Sequence, residues 1–256
     1  MRLLERHRIQ RDDRPANGAV VVGVDDSAAS RVAAEYAAVE AELRGWDLQL
    51  LHVQPAGTTR YAPGDRGARM LERMAGRVHG RAPAVAVSSH LAVGAAATVL
   101  LEEVSDTDIV VVGHHSGPAL AAFGIRIEER VAALHRGPAL VVPESGRPLG
   151  PALADRPVIV GVDDDRSPTA VLDFARTEAM LRGCELIVLH TSGDGSVPRL
   201  CHGAVTGDPV EAMVSASQQA SAVVVDRHGA DVTTTLIGRA ARVLVRASAC
   251  PVFLIG

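Results

Sequence analysis

Apolar residues in this chain gather into short aliphatic runs separated by longer mixed stretches. Val20–Val24, Leu48–Val53, Asp108–Gly113 and Ala139–Val142 are such runs in the first half. Runs of this length, apolar at consecutive positions, predict strands buried on both faces, as in a parallel sheet covered by helices. Between the first two, Ser27-Ala-Ala-Ser30 provides a helix N-cap and Arg44-Gly45 a C-terminal stop. Further helices are predicted over Arg69–Val78, Ala95–Val104 and about 126–135, with another strand over Ala84–Leu91. Strand and helix alternate, which predicts an open parallel α/β sheet with helices on both sides.

The pattern is written twice. Val158-Ile-Val-Gly-Val-Asp-Asp-Asp165 repeats the run that ends in Asp25-Asp26, and residues 20–53 match 158–191 at 15 of 34 positions without a gap. Arg44-Gly45 meets Arg182-Gly183, and His52 meets His190. Beyond His190 the offset falls from 138 to 113, so the second half lacks 25 residues, those of the loop and helix between strands two and three. A weak third strand is expected near Arg199–Ala204, and Gly207-Asp-Pro-Val210 opens a helix with Pro209 in its first turn. Ala222–Val225 is the fourth strand, 237–248 the last helix and Pro251–Ile255 the fifth strand. The expected organisation is a mobile arm at 1–17, a first domain at 18–143, a Pro/Gly linker at 144–156 and a shortened second domain at 157–256.

Composition narrows the function. Aromatic residues are only 2% of the chain and the formal net charge is −4, which argues against a stacking or basic surface for nucleic acid. Every fixed side-chain cation is an arginine, so a Gly-Lys phosphate loop is excluded. Three scattered cysteines suit buried thiols in a reducing compartment rather than a disulfide framework or zinc site. The first 17 residues hold no secretory apolar core, and no apolar run approaches the ~18 residues of a membrane span. A cytoplasmic protein with no membrane partner is expected.

Several motifs together carry a resemblance: Val22-Gly-Val-Asp-Asp-Ser27, Leu50-Leu-His-Val53, Gly207-Asp-Pro209, the valine blocks before Gly113 and Asp226, and Cys250-Pro-Val252. Their order, seen in two copies, resembles the universal stress protein family over nearly the whole chain. The resemblance implies two five-stranded parallel sheets of order 3-2-1-4-5, of the adenine nucleotide alpha hydrolase-like type. It also implies ATP or another adenine nucleotide as ligand in one branch. There the aspartate after strand one and the residue ending strand two hold the adenosine, which are Asp25 and Val53 in the first half and Asp163 and Thr191 in the second. A Gly-x2-Gly-x9-Gly-Ser/Thr signature holds the phosphates on backbone N–H groups and a helix N-terminus.

That signature is altered in both copies. The first reads Gly113-His-His-Ser116 and then Ile125-Arg126; the second reads Asp226-Arg-His-Gly229 and then Gly238-Arg239. Glu128 and Glu129 open the first-half helix, where carboxylates repel phosphate, whereas Ala241 and Arg242 stand at the matching second-half positions. The second half, with Asp163, Thr191, Gly229, Gly238 and Arg239, is thus the better candidate nucleotide site. Asp25-Asp26, Asp163-Asp164 and His114-His115 invite a metal reading, but a turn-capping or solvated role explains each, and no metal is expected. His52 and His190 read as structural, and no catalytic constellation is visible. Three readings follow: a tandem regulatory module with a weakened or lost nucleotide site, an interaction scaffold without a small ligand, or an adenine-nucleotide hydrolase. In the first, the family's pairing of fifth strands is met internally, Ala139–Val142 against Val252–Ile255, leaving an unknown protein partner.

Overall fold

The structure, a computed structural model, describes residues 18–55, 63–115, 126–146, 154–163, 169–191, 199–200, 203–204, 208–228 and 237–256. The expected arm at 1–17 and most of the expected linker lie outside them. The first half runs β1 (Val20–Gly23), α1 (Ala28–Arg44), β2 (Leu48–Gln54), α2 (Pro63–Arg81), β3 (Val87–Val93), α3 (Ala96–Glu103), β4 (Ile109–His114), α4 (Ile127–Leu134) and β5 (Ala139–Pro143). The second runs β6 (Val158–Asp163), α5 (Thr169–Arg182), β7 (Leu186–Thr191), β8 (Arg199–Leu200), β9 (Gly203–Ala204), α6 (Pro209–Ser217), β10 (Ala222–Asp226), α7 (Arg239–Ala247) and β11 (Val252–Ile255).

Strand order is β3-β2-β1-β4-β5-β11-β10-β6-β7-β8-β9. Each half keeps the 3-2-1-4-5 order, and the two sheets join edge to edge into one mostly parallel layer. At the join β5 and β11 are antiparallel, Val141 opposite Val252 and Leu140 opposite Phe253. Consecutive strand residues point to opposite faces, so β1 sends Val20 and Val22 to a core under α1, α2 and α5. Val21 goes to a second core under α3, α4, α6 and α7. Helices on both faces explain why β1 carries valine at three successive positions, Val20 to Val22.

Local caps act as their residues suggest. Ser27 caps α1 by accepting the Ser30 N–H at 3.0 Å. Gly45 closes the helix at φ +62°, and its repeat partner Gly183 has φ +63°, a left-handed conformation that glycine adopts without a Cβ clash. Strand β3 starts three residues later than its apolar pattern suggests, because Pro83-Ala84-Val85 form a turn.

The shortened half departs from expectation at its third strand. In the first half α2 carries the chain over so that β3 pairs parallel to β2. Between β7 and β8 only residues 192–198 remain, and a parallel crossover needs a dozen or more. The chain returns antiparallel instead, with His190 opposite Arg199, and a two-residue β8/β9 hairpin ends the sheet.

Candidate functional site

The carboxyl ends of β2, β1 and β4 stand side by side, and this brings Val53, Asp25 and Gly113 to one rim. Asp25 is used first to shape the turn. Its Oδ1 accepts the Ser27 N–H at 2.8 Å, and its own N–H donates to Ser30 Oγ at 2.8 Å. Asp26 turns outward to Arg73 at 3.2 Å and Arg66 at 3.6 Å on α2, while its carbonyl accepts from Arg31 at 2.7 Å. Asp25, Asp26, Arg31 and Arg73 border a cleft of about 550 Å³ between α1 and α2, floored by the buried Met70 and Met74 and flanked by Arg77. His52 Nδ1–H donates to the Val24 carbonyl at 2.7 Å, tying β2 to the end of β1, while Val53 packs half-buried on the second core.

At β4 the side chains close on themselves. His114 is buried and its Nδ1 lies 2.9 Å from Glu128 Oε1 at the start of α4. Arg126 donates to the His115 carbonyl at 2.6 Å and lies 3.7 Å from Glu128, while His115 meets Glu144 at 3.1 Å. A side chain at Gly113 would place its Cβ 2.7 Å from the Ala29 backbone, so close passage of α1 accounts for this glycine.

In the second half Asp163 and Thr191 are direct partners across β6 and β7. Gly238 precedes α7 and donates its N–H to the Arg227 carbonyl at 2.8 Å, and a Cβ there would lie 2.4 Å from the His228 carbonyl oxygen. Arg239 is exposed, but Arg242 is turned back onto the Ile237 carbonyl at 3.0 Å. Asp226 Oδ1 accepts the His228 N–H at 2.8 Å. Ser116 and Gly229 lie outside the described residues. Among those described, no group of three His, Cys, Asp or Glu is placed to hold a metal ion, and no helix is long and apolar enough to cross a membrane.

Sequence reasoning did not single out Arg227, the most buried arginine of this region at 3% exposure. Its guanidinium crosses the join to the first half, donating to the carbonyls of His135 and Gly137 (the latter at 2.6 Å) and to Leu254 at 3.2 Å. Burial lowers its pKa to about 10, with Asp226 acting in the opposite sense. Also missed were the side chains that join α1 to α5. Arg44 pairs with Glu40 and Glu178, and Arg182 with Glu178 and Glu40, all four at most 7% exposed. The signal was present: Glu40-x3-Arg44 and Glu178-x3-Arg182 match at the 138-residue offset.

Residues 17–143 match the model of the Universal stress protein family. A universal stress protein of Mycobacterium tuberculosis is 26% identical over 205 residues, covering 70% of this chain but only 64% of that relative's length. A second one from the same organism is 25% identical over 282 residues, covering 92% of this chain and 96% of the relative. The crystal structure of a universal stress protein from Archaeoglobus fulgidus superposes with a TM-score of 0.67 at 16% identity, over 94% of this chain and 99% of that one. A putative one from Pseudomonas aeruginosa gives 0.58 at 14%, over 94% and 93%. With the duplicated fold and the repeated motifs, these matches make the chain a tandem member of the universal stress protein family.

Proposed function

We propose that the chain is a stress-responsive regulatory module whose adenine-nucleotide site is weakened in the second half and lost in the first. The observation that carries this reading is the unequal state of the two helix starts. At α4 the phosphate position is filled by the chain's own groups, since Glu128 is buried against His114 and Arg126 is held on the His115 carbonyl. A triphosphate there would meet a carboxylate at the positive end of a helix, which already uses that field. At α7 the matching residue is Ala241, and Arg239 is exposed with no hydrogen-bond partner among the described residues. By the family resemblance, the ribose and adenine side of that site falls to Asp163 and Thr191, which are main-chain partners across β6 and β7.

We take the two units as 18–143 and 157–256 joined by 144–156, and the β5–β11 pairing as an internal counterpart of a subunit contact. Covering both edges removes strands that would otherwise template association. We take the module to act by binding, in the cytoplasm, on a protein partner.

Thermal unfolding of the full chain with ATP, ADP and AMP tests the reading. Binding at a hundredfold excess over Kd stabilises by about 2.7 kcal/mol. The stabilisation is expected to disappear in Asp163→Ala and to persist in Asp25→Ala. No response at millimolar nucleotide would favour the scaffold reading instead, which the filled first-half position already supports.

A further inference from the structure

On one face of the sheet α3, α4, α7 and α6 lie side by side, with α4 and α7 next to the join. Val131 and Ala132 of α4, and Ala241, Leu244 and Val245 of α7, face the second core. The opposite sides of these two helices are partly apolar. Ile127 is 47% and Val243 38% exposed. Arg130 follows Ile127 on the outward ridge of α4, and Ala240 and Ala247 stand either side of Val243 on that of α7, all three exposed.

Charge accompanies these apolar tips. Residues 126–134 and 239–247 carry five arginines and two glutamates, a surplus of +3 in a chain whose formal net charge is −4. Both glutamates are engaged, Glu128 buried on His114 and Glu129 taking Arg246 at 2.6 Å. Arg246 still stands half open to solvent, and among the described residues the Arg130 side chain has no hydrogen-bond or ion-pair partner. Exposed carboxylates stand on the outer helices instead, Glu102 on α3 and Glu211 on α6. A strip of arginine and aliphatic side chains therefore crosses the molecule beside the join, with acidic residues beyond it on either side.

We infer that the α4–α7 surface docks an acidic amphipathic helix of a protein partner. Arginine stems lie along apolar surface while their guanidiniums pair with carboxylates in planar geometry, so one residue type serves both sides of such a helix. The partner's aliphatic side chains, repeated at three- and four-residue spacing, rest on Ile127 and Val243, and its flanking carboxylates meet Arg130 and Arg246. A second copy of this chain would bring the same arginines, and like charges face to face oppose that contact. A bilayer is a poor fit, because Ile127 and Val243 sit on two short helices held flat against the sheet and cannot descend into the hydrocarbon. The inference deepens the reading above: it rests on the chain acting through a protein partner and does not draw on the nucleotide site.

The test is a fluorescence-anisotropy titration of the full chain, without nucleotide, into a labelled synthetic helix with leucines on one face and glutamates on the other. Its twin carries lysine in place of glutamate. The glutamate helix should bind saturably and the lysine helix should not. Arg130→Glu should weaken binding of the glutamate helix by about tenfold, since like charges then meet, and should raise affinity for the lysine helix. Val243→Ser should weaken binding several-fold by removing an apolar contact. Both residues are exposed, so both variants should unfold like the parent chain. Absent binding at millimolar peptide, equal binding of the two helices, or an affinity unchanged in Arg130→Glu overturns the inference. Tighter binding to phosphatidylserine vesicles than to the helix would give the surface to lipid and overturn it too. So would a dimer, seen by sedimentation of the chain alone, that Val243→Ser dissociates. No nucleotide is present and no variant touches Asp163, Thr191, Gly238 or Arg239, so failure here leaves the nucleotide reading standing. A chain that ignores nucleotide but binds the helix gives the converse result.

Discussion

His135 follows the last turn of α4 and is buried at 3% exposure. Burial is the largest influence on its pKa and pushes it below the ordinary value of 6.5, with nearby Arg227 acting in the same direction. Unfolding returns the ring to 6.5, so just below that pH the unfolded chain binds the extra proton. Stability is therefore complete above about pH 6.5 and falls as the pH drops toward the lowered folded value. His135→Gln, which can keep a donor to the Asp108 carbonyl, should lose less stability than the parent between pH 7 and about 5.5 in paired urea titrations. Equal losses in both proteins would remove His135 from the acid response. Cys250 is the converse case, since burial raises its thiol to about 11 and keeps it protonated and inert. Gly113 and Gly238, read from sequence as phosphate-cradling glycines, both sit where a Cβ would strike a neighbouring main chain. A glycine tells that something passes close, but the residue alone does not say whether that is ligand or backbone.

Single elements were legible where their signals were local. Asp208 was foreseeable as the cap of α6: it precedes Pro209 and accepts the Val210 N–H at 2.8 Å. Asp208→Ala should cost about 1 kcal/mol in chemical unfolding, whereas Asp208→Asn retains the acceptor and should cost much less. A silent Asp208→Ala would mean that α6 is held by packing alone, through Met213 and Ser217. The third strand of the second half was legible only in part. Its position followed from the repeat, but its direction depended on the lost crossover helix, and short apolar stretches do not state which way they run. In the same way the end of β4 was readable as a strand, while the contacts that fill its rim, His114 with Glu128 and Arg126 with the His115 carbonyl, join the end of β4 to the start of α4 and are set by no local pattern.

At the scale of the whole molecule, the join is made of three kinds of contact. Strands β5 and β11 pair, Arg227 donates across to the carbonyls of His135 and Gly137, and four buried charges lock α1 to α5. Two pairs of opposite charge leave the cluster neutral, but each ion has been taken out of water, so its worth lies in completeness. Glu178→Ala leaves two guanidiniums short of a partner and should destabilise the chain by about 3–5 kcal/mol. Replacing all four by leucine or methionine should be far milder, near neutral, because no charge is then stranded. Urea unfolding of the two variants decides this, and a Glu178→Ala protein as stable as its parent would show that water reaches the cluster. On the other face, Arg246 meets Glu129 at 2.6 Å, a bridge half open to solvent and worth little on its own.

The order of strands and helices, the duplication and the caps were all determined by the sequence itself, because each is written in neighbouring residues or in a constant offset between two copies. Periodicity, turn chemistry and repetition are properties of a line. What only the tertiary structure decided is how the two copies meet. Arg182 reaches Glu40 across 142 residues, Arg246 reaches Glu129 across 117 and Arg227 reaches Gly137 across 90. No local pattern selects such partners. They follow from the antiparallel pairing of two strand edges, which turns one copy about the other and sets equivalent faces against each other. Burial then gives the chosen charges their weight, since in water the same arginines and glutamates would be nearly indifferent to one another.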